Sequence, residues 1–206
     1  ITGGCTVTNN DAVTHYVGDL TIQTGGVLTH TVNGTTAQGE RYKVNLNIAS
    51  NLTIDADGQI NADAKGYAIY NGPGRNGSVA VGSSHGGMGG HLNDTRFVFP
   101  TYGSITAPTN LGSGGSTSTG PGGGAVILVV GGTSTVNGVI SVVASNGGEY
   151  TGSGGSVFLI TAALTGNGTI RAHGGDVTGG VPRGSGGGGR IAVILTNSSD
   201  FGNVKF

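Results

Sequence analysis

Residues 52–62 read LTIDADGQINA, and residues 20–30 read LTIQTGGVLTH, which aligns with the first stretch without a gap at an offset of 32. The matched positions carry apolar residues or glycine: Leu20 with Leu52, Ile22 with Ile54, Gly26 with Gly58, and Leu28 with Ile60. The pattern recurs at 136–148 and 164–175. Each unit therefore predicts a short strand, a turn centred on glycine and a second strand.

A second unit alternates with the first and consists of glycines followed by a short aliphatic strand. Its copies read GGGAVILVV at 122–130, GGSVFLIT at 154–161 and GGGGRIAVIL at 186–195. The first aligned column holds Ala125, Ser156 and Arg190, and the second holds Val126, Val157 and Ile191. The column two positions after the second holds Leu128, Leu159 and Val193. Such strands, recurring about every thirty residues without helical periodicity, are typical of stacked parallel coils. The sequence predicts an all-β fold, a parallel β-solenoid (β-helix).

The columns that face away from the predicted core are also apolar, as in strands that are buried on both faces. These columns are Ile127, Phe158 and Ala192, then Val129, Ile160 and Ile194. Glycine-rich loops at 112–124 and 174–189 are predicted to cover one face, because glycine lets backbones approach closely. A second copy of the protein is the other candidate cover. On that alternative, Ile127, Phe158 and Ile160 are candidate intermolecular contacts.

The chain is predicted to form one domain, residues 1–206, with three departures from the repeat. Residues 1–19 are predicted to be an N-terminal cap or pairing segment, 67–121 a glycine-rich excursion, and 196–206 a C-terminal segment. The single cysteine, Cys5, is predicted to be either a buried thiol or a link to another chain. Because the chain begins with Ile1, we interpret it as a mature or excised segment of a longer precursor.

The repeats resemble those of a known group of proteins. The stretches at 122–148, 154–175 and 186–195 resemble the glycine-rich repeats of large secreted and cell-surface β-helix proteins. SHGGMGG at 84–90 and YGSITAPTNLGSGG at 102–115 match a recurring piece of those repeats. The resemblance covers most of residues 45–195. It implies the β-helix architecture and an extracellular or cell-surface setting, and it brings no established catalytic residues.

The composition excludes several classes of partner. Glycine accounts for 45 of the 206 residues, about three times its usual share. The nine Lys and Arg residues form no basic run, so nothing in the sequence indicates a nucleic-acid partner. The longest aliphatic run, AVILVV at 125–130, is too short to cross a bilayer, and we predict no membrane insertion.

The segment SSHGGMGGH at 83–91 carries two histidines and four glycines. As zinc ligands, His85 and His91 would need a third protein ligand, such as Asp94, and a rigid frame that the glycines do not supply. Histidines that hydrogen-bond or pack against glycine backbone are the favoured interpretation. Ser84, His85 and Asp94 have the residue types of a catalytic triad. We reject that interpretation, because the sequence lacks the G-x-S-x-G nucleophile elbow and the helix that follows it.

Acidic residues concentrate in DADGQINAD at 55–63, which resembles part of a calcium loop. The spacing of Asp55, Asp57 and Asp63 departs from that of an EF-hand, and a tight Asp-Gly turn is the favoured interpretation. Asp55 and Asp63 are predicted to lie near Arg171, because Asn61 and Arg171 share a repeat column. No two acids stack on adjacent coils, so we predict no enzyme activity, no catalytic residues, no cofactor and no metal.

Six N-x-S/T sequons are candidate N-glycosylation sites: Asn33, Asn51, Asn76, Asn93, Asn167 and Asn197. The favoured function is an extracellular structural or adhesive module that assembles with itself into a fibre or surface layer. The alternative is a carbohydrate-binding or polysaccharide-cleaving module, with a surface polysaccharide as partner. That alternative depends on tyrosines in or beside the loops: Tyr67, Tyr70, Tyr102 and Tyr150.

Overall fold

The computed structural model describes residues 1–75, 77, 80–91, 98–116, 119–178 and 183–206. These residues contain short strands and one 3-10 helix of three residues at Thr36–Gln38. The strands are β1 (Thr6–Asn9), β2 (His15–Val17), β3 (Leu20–Ile22), β4 (Val27–His30), β5 (Val44–Ile48), β6 (Leu52–Ile54), β7 (Gln59–Asn61), β8 (Ala125–Val136), β9 (Val139–Ser141), β10 (Ser156–Thr165), β11 (Thr169–Arg171) and β12 (Arg190–Leu195).

The strands form two parallel sheets. The five-stranded sheet has the order β1-β4-β7-β9-β11. The seven-stranded sheet has the order β12-β10-β8-β5-β2, and β3 and β6 pair beside this path. Strand β8 is long enough to pair with β5 through its first half and with β6 through its second half. Both sheets therefore run from low-numbered strands at one edge to high-numbered strands at the other.

The register of the strands confirms the columns that the repeats predict. Leu20 lies beside Leu52 and Ile22 beside Ile54, as in the alignment at an offset of 32. In the seven-stranded sheet, Val126 lies beside Val157, which in turn lies beside Ile191. The repeat arises because residues in one column must match in size and polarity to stack in a parallel sheet.

The main hydrophobic core fills the space between the two sheets, and a smaller cluster consists of Tyr67, Leu111 and Ala125. The largest side chains of the main core are fully buried and come from both sheets: Ile22, Ile48, Leu52, Ile54, Ile60, Leu128, Ile140, Leu159, Leu164 and Ile170. The Val-Asn-Leu-Asn-Ile sequence of β5 shows why these segments become strands, since its apolar residues are buried and its asparagines are half-buried. Burial of these columns is the main source of stability.

The glycine-rich segments form a separate hydrogen-bonded layer, which we call the glycine network. It comprises residues 66–74, 82–90, 111–116, 119–124, 150–155, 172–175 and 184–189. Successive residues of one segment bond to different neighbours: the Gly112 amide donates to Gly123, the Gly114 amide to Asn71, and the Ser113 carbonyl accepts from Ser153. The segments therefore bond to more than two neighbours, whereas a strand in a sheet bonds to neighbours on two sides.

Close backbone contact explains the glycine content of this network. A Cβ placed on Gly186 would lie 1.9 Å from the Gly152 carbonyl oxygen, and one on Gly155 would lie 1.8 Å from that of Gly124. Gly122 is similarly close to Gly112. Any larger residue at these positions would push the segments apart and break their hydrogen bonds.

The predicted parallel β-solenoid is therefore wrong as a description of this fold. The structure has two parallel sheets of five and seven strands and almost no helix, a layout like that of the parallel sheets in α/β proteins. No strand occurs among the described residues between β7 and β8, where the glycine network replaces the repeat. The repeat correctly identified which strands pair, but glycine-rich sequence carries no side-chain pattern from which the network could be predicted.

The predicted covering of the outer sheet face by glycine loops is also wrong. The glycines of 112–116, 119–124 and 184–189 have mainly backbone atoms of other glycine segments as their nearest neighbours. Residues 102–111 instead run beside the first residues of the seven-stranded sheet. The Thr109 carbonyl accepts from Lys43 Nζ at 2.8 Å, that of Asn110 from Ser156 Oγ at 2.6 Å, and that of Tyr102 from Arg190 Nε at 3.0 Å.

Three consecutive glycines offer a matched test of the network. A Cβ on Gly187 or Gly189 would lie 2.1 Å from the Gly87 carbonyl oxygen or 2.0 Å from that of Gly155, whereas one on Gly188 meets nothing within 4 Å. We expect Gly187→Ala and Gly189→Ala each to lower the free energy of unfolding by about 1–3 kcal/mol or more. Gly188→Ala should change it by less than about 0.5 kcal/mol. Urea unfolding measures all three, and equal effects would contradict close packing.

Candidate functional site

The two sheets have their edges on the same two sides, which we call the first end and the second end of the described chain. The first end consists of β1, β2 and β3, and the Gln23 amide of the β3–β4 turn donates to the Ile1 carbonyl, which joins these strands. The second end consists of β12 and residues 203–206. Lys205 pairs with Thr169, so this segment adds to β11 at the edge of the five-stranded sheet. Each end presents backbone groups of an unpaired parallel edge.

The hydrophobic core is open at both ends. Six apolar residues are only partly buried and pack against the core: Ile1, Val17 and Leu20 at the first end, and Ile191, Val193 and Leu195 at the second. Their equivalents in the central strands, such as Ile48 and Leu159, are fully buried. The core thus lacks one further layer of side chains at each end.

Exposed apolar side chains also concentrate at the ends. Nine large apolar side chains are exposed among the described residues, and six of them lie at an end. At the first end these are Val7, Val13 and Tyr16, with exposed fractions of 46%, 66% and 77%. At the second end they are Ile194, Phe201 and Phe206, with 43%, 41% and 60%. Burial of such side chains against a partner would be favourable.

Both ends carry charged side chains. Asp11 and Asp19 lie at the first end, and Arg190 and Lys205 lie at the second, where Asp200 is also exposed. The Asp11 carboxylate accepts from His15 Nε2 at 2.9 Å, and this bond holds the pKa of Asp11 below its usual value. The pair is exposed and contributes little to stability.

Cys5 is exposed at the first end, directly before β1. The interpretation of Cys5 as a buried thiol is therefore wrong, whereas a contact with another chain stays a prediction. Ile127, Phe158 and Ile160 are half-buried on the outer face of the seven-stranded sheet. Residues 102–111 pass beside the beginning of that face, and the three side chains remain candidate contacts.

Two histidines, His30 and His85, are fully buried. Nothing in the sequence indicates a role for His30. His30, at the end of β4, donates from Nδ1 to the Thr31 carbonyl at 2.8 Å and accepts at Nε2 from the Ala125 amide at 3.2 Å. It thereby connects the five-stranded sheet to the start of β8. Burial lowers the pKa of His30 to about 4, and the positive charges of Lys65 and Lys43 act in the same direction.

His85 is held within the glycine network, as the favoured interpretation of the SSHGGMGGH segment predicts. Its Nδ1 donates to the Gly154 carbonyl at 2.7 Å, and its ring stacks on Tyr102 at 4.5 Å. Burial lowers its pKa to about 4, and the nearby charge of Arg190 contributes. His91 is exposed and forms a bridge with Val81. Asp94 lies outside the described residues.

No group of three His, Cys, Asp or Glu residues that could hold a metal ion occurs within the described ranges. The Asp-Gly turn is confirmed: Asp57 has φ of 62°, and the Gly58 amide donates to the Asp55 carbonyl. Asp63 accepts from the Val143 amide at 2.6 Å and lies 3.8 Å from Arg171, as the shared column predicts for Asp63. Asp55, which was predicted to lie there too, forms no ion pair with Arg171 in the described part of the chain. The Asp63 carboxylate therefore joins neighbouring strands and is not free to act as a ligand.

The tyrosines do not form an exposed platform in the part of the chain that is described. Tyr67 is buried, and Tyr102 donates from its hydroxyl to the Leu111 carbonyl at 2.6 Å. Burial raises the pKa of both phenols. Tyr70 and Tyr150 are half-buried, and Arg75 lies over the Tyr70 ring. No pocket opens on the described residues.

The sequons differ in their accessibility. Asn51, Asn167 and Asn197 are exposed, whereas Asn76 and Asn93 lie outside the described residues. Asn33 is buried, and its side-chain nitrogen donates to the Tyr42 and Lys65 carbonyls. Its oxygen accepts from the amides of Arg41 and Tyr42. The prediction of glycosylation at Asn33 is wrong for the folded chain, because a glycan there would break these bonds.

Comparison with protein families, with curated proteins and with solved structures found no match to this chain. The resemblance to glycine-rich β-helix repeats therefore stays a prediction. No helix in the described part of the chain is long and apolar enough to span a membrane.

The buried histidines predict a pH-dependent stability. Both are neutral when folded, with pKa values of about 4, against about 6.5 when unfolded. The unfolded chain therefore binds more protons between pH 6.5 and 4, and the free energy of unfolding should fall as the pH is lowered through this range. Each histidine contributes at most roughly 3 kcal/mol.

The measurement is urea unfolding of dilute protein from pH 7 to 4.5. His30→Gln should reduce the slope of stability against pH, because it removes one of the two buried titrating groups. His173→Gln is the control, since His173 is exposed and should leave the slope unchanged. An unaltered slope in His30→Gln would show that His30 is not buried in its neutral form.

Proposed function

We propose that this protein is an extracellular or cell-surface structural module that assembles head to tail into a fibre or layer. The observation that carries the proposal is the open core: Val17 and Leu20 at the first end and Val193 and Leu195 at the second end are only partly buried. In a filament, the second end of one copy would cover the first end of the next. The joint would complete the layer of side chains that each end lacks.

The backbone supports the same arrangement. Strand β2 pairs only with β5, and β12 pairs only with β10, so each has an edge with hydrogen-bonding groups directed outward. Both strands belong to the same sheet, and all pairings in that sheet are parallel. A copy that continues the sheet satisfies these groups without any change of fold.

The geometry of the joint favours an open polymer over a closed dimer. The two surfaces are different, since one consists of β1, β2 and β3 and the other of β12 and residues 203–206. A contact between unlike surfaces leaves a free end of each kind after every addition. Growth therefore continues unless the rotation between successive copies closes a ring.

The extracellular setting rests on the sequence. The resemblance to repeats of secreted and cell-surface proteins and the exposed sequons at Asn51, Asn167 and Asn197 support it. The carbohydrate-directed alternative has less support, because Tyr67 and Tyr102 are engaged in hydrogen bonds inside the fold. A glycan array would test that alternative directly, and selective hits on folded protein would favour it.

The test of assembly is electron microscopy and sedimentation of concentrated protein. We expect ordered filaments or sheets, and a second-end to first-end contact predicts that Tyr16→Lys abolishes them. Ile105→Lys is the matched control, because Ile105 is 75% exposed, close to the 77% of Tyr16, and belongs to no strand of either end. A monodisperse wild-type monomer at high concentration would overturn the proposal, as would equal assembly of the two variants.

A further inference from the structure

We propose that the joint continues both sheets in their existing register, with β12 of one copy paired in parallel with β2 of the next. This inference rests on the proposed head-to-tail assembly and adds the residues that meet. The pairing inside the molecule sets the register, because every neighbouring strand in the seven-stranded sheet follows the same columns.

The columns can be followed from one end to the other. The column that begins with His15 contains Leu46, Leu128, Leu159 and Val193 in turn. The next copy in the same register places its His15 on Val193. By the same step, Tyr16 lies on Ile194 and Val17 lies on Leu195.

The Tyr16–Ile194 and Val17–Leu195 pairs match in burial as well as in position. Tyr16 and Ile194 both belong to the outer column, and both are exposed in the isolated chain, at 77% and 43%. Val17 and Leu195 belong to an inner column, and both pack partly against the core. The joint therefore buries Tyr16 against Ile194 on the outer face of the sheet. On the inner face, contact between Val17 and Leu195 completes the core.

The five-stranded sheet gives the same result independently. Its central column contains Val7, Leu28, Ile60, Ile140 and Ile170. Lys205 pairs with Thr169, so Phe206 follows Ile170 in that column. The joint places Phe206, which is 60% exposed, on Val7 of the next copy, which is 46% exposed.

One pair of opposite charges supports the head-to-tail direction of the joint. Arg190 shares a column with Ser156 and Ala125. Lys43 belongs to the same column, because Val44 of β5 lies beside Val126 of β8. The Lys43 amide donates to the Asp11 carbonyl, so the next copy brings its Asp11 close to Arg190. Two first ends facing each other would instead oppose Asp11 and Asp19 with their own copies. Opposite charges favour the head-to-tail contact and disfavour this reversed one.

Engineered disulfides test the register. In a Cys5→Ser background, which prevents links through the native thiol, Tyr16→Cys is combined with Ile194→Cys. Neighbouring parallel strands are about 4.8 Å apart, within the Cα separation of a disulfide. The control combines Tyr16→Cys with Ala192→Cys, which lies on the same outer face two residues out of register. That pair would be about 8 Å apart, too far for a disulfide.

After mild oxidation, we expect the in-register variant to give a ladder of covalent multimers on a non-reducing gel, and the control to stay monomeric. A second in-register pair, Val17→Cys with Leu195→Cys, tests the inner column if the first variant assembles poorly. Thermal unfolding of the reduced proteins checks that each variant folds.

The outcomes separate the two proposals. Wild-type filaments together with cross-links in the control pair would overturn the register and leave head-to-tail assembly standing. Wild-type filaments with no cross-links in either in-register pair would show that the joint uses another surface. A wild-type protein that forms no filaments would overturn the proposed function itself.

Discussion

The contact on which the rest of the structure depends is that between glycine backbones. In the glycine network, carbonyl oxygens lie about 2 Å from the points at which a Cβ would stand, for example Gly124 against Gly155 and Gly152 against Gly186. At that separation the segments exchange amide hydrogen bonds directly, as between Gly112 and Gly123. The network leads directly into β8, β10 and β12, because Gly124, Gly155 and Gly189 precede their first residues. Glycine packing therefore positions the strands that form the core.

A layer made of backbone has many polar groups and few apolar side chains, so its stability depends on hydrogen-bond satisfaction. Buried side chains complete it where backbone partners are missing. Ser83 donates to the Gly114 carbonyl, Ser153 Oγ accepts from the Ser113 amide and donates to the Ser84 carbonyl, and His85 donates to Gly154. These small or planar side chains fit between closely spaced segments. One charged side chain beside this layer, Arg75, is buried and donates to the Gly77 and Val81 carbonyls.

The sequence predicted the sheets better than it predicted the network. Columns such as Val126, Val157 and Ile191 are visible because parallel pairing requires similar residues at the same position in successive strands. The glycine segments leave no comparable trace, because glycine has no side chain whose polarity could alternate. The solenoid prediction failed for that reason, and so did the prediction that the loops cover the outer face. His30 was missed because its partner Ala125 lies 95 residues away in the sequence. The interpretation of His85 succeeded, because four adjacent glycines already implied a backbone environment.

The two ends form the candidate site because the outermost strands of the sheets have no neighbouring strand on one side. A parallel sheet has no internal device that ends its growth, since every strand leaves hydrogen-bonding groups for the next. Proteins usually blunt such edges with charge, proline or a covering helix. Here β12 carries one charged residue, Arg190, followed by five apolar ones, and β2 carries His15, Tyr16 and Val17. Residues 203–206 add to β11, and Phe206 at this edge is exposed. An edge with this composition favours a strand from another copy over water, because pairing buries apolar surface and satisfies the backbone in one step.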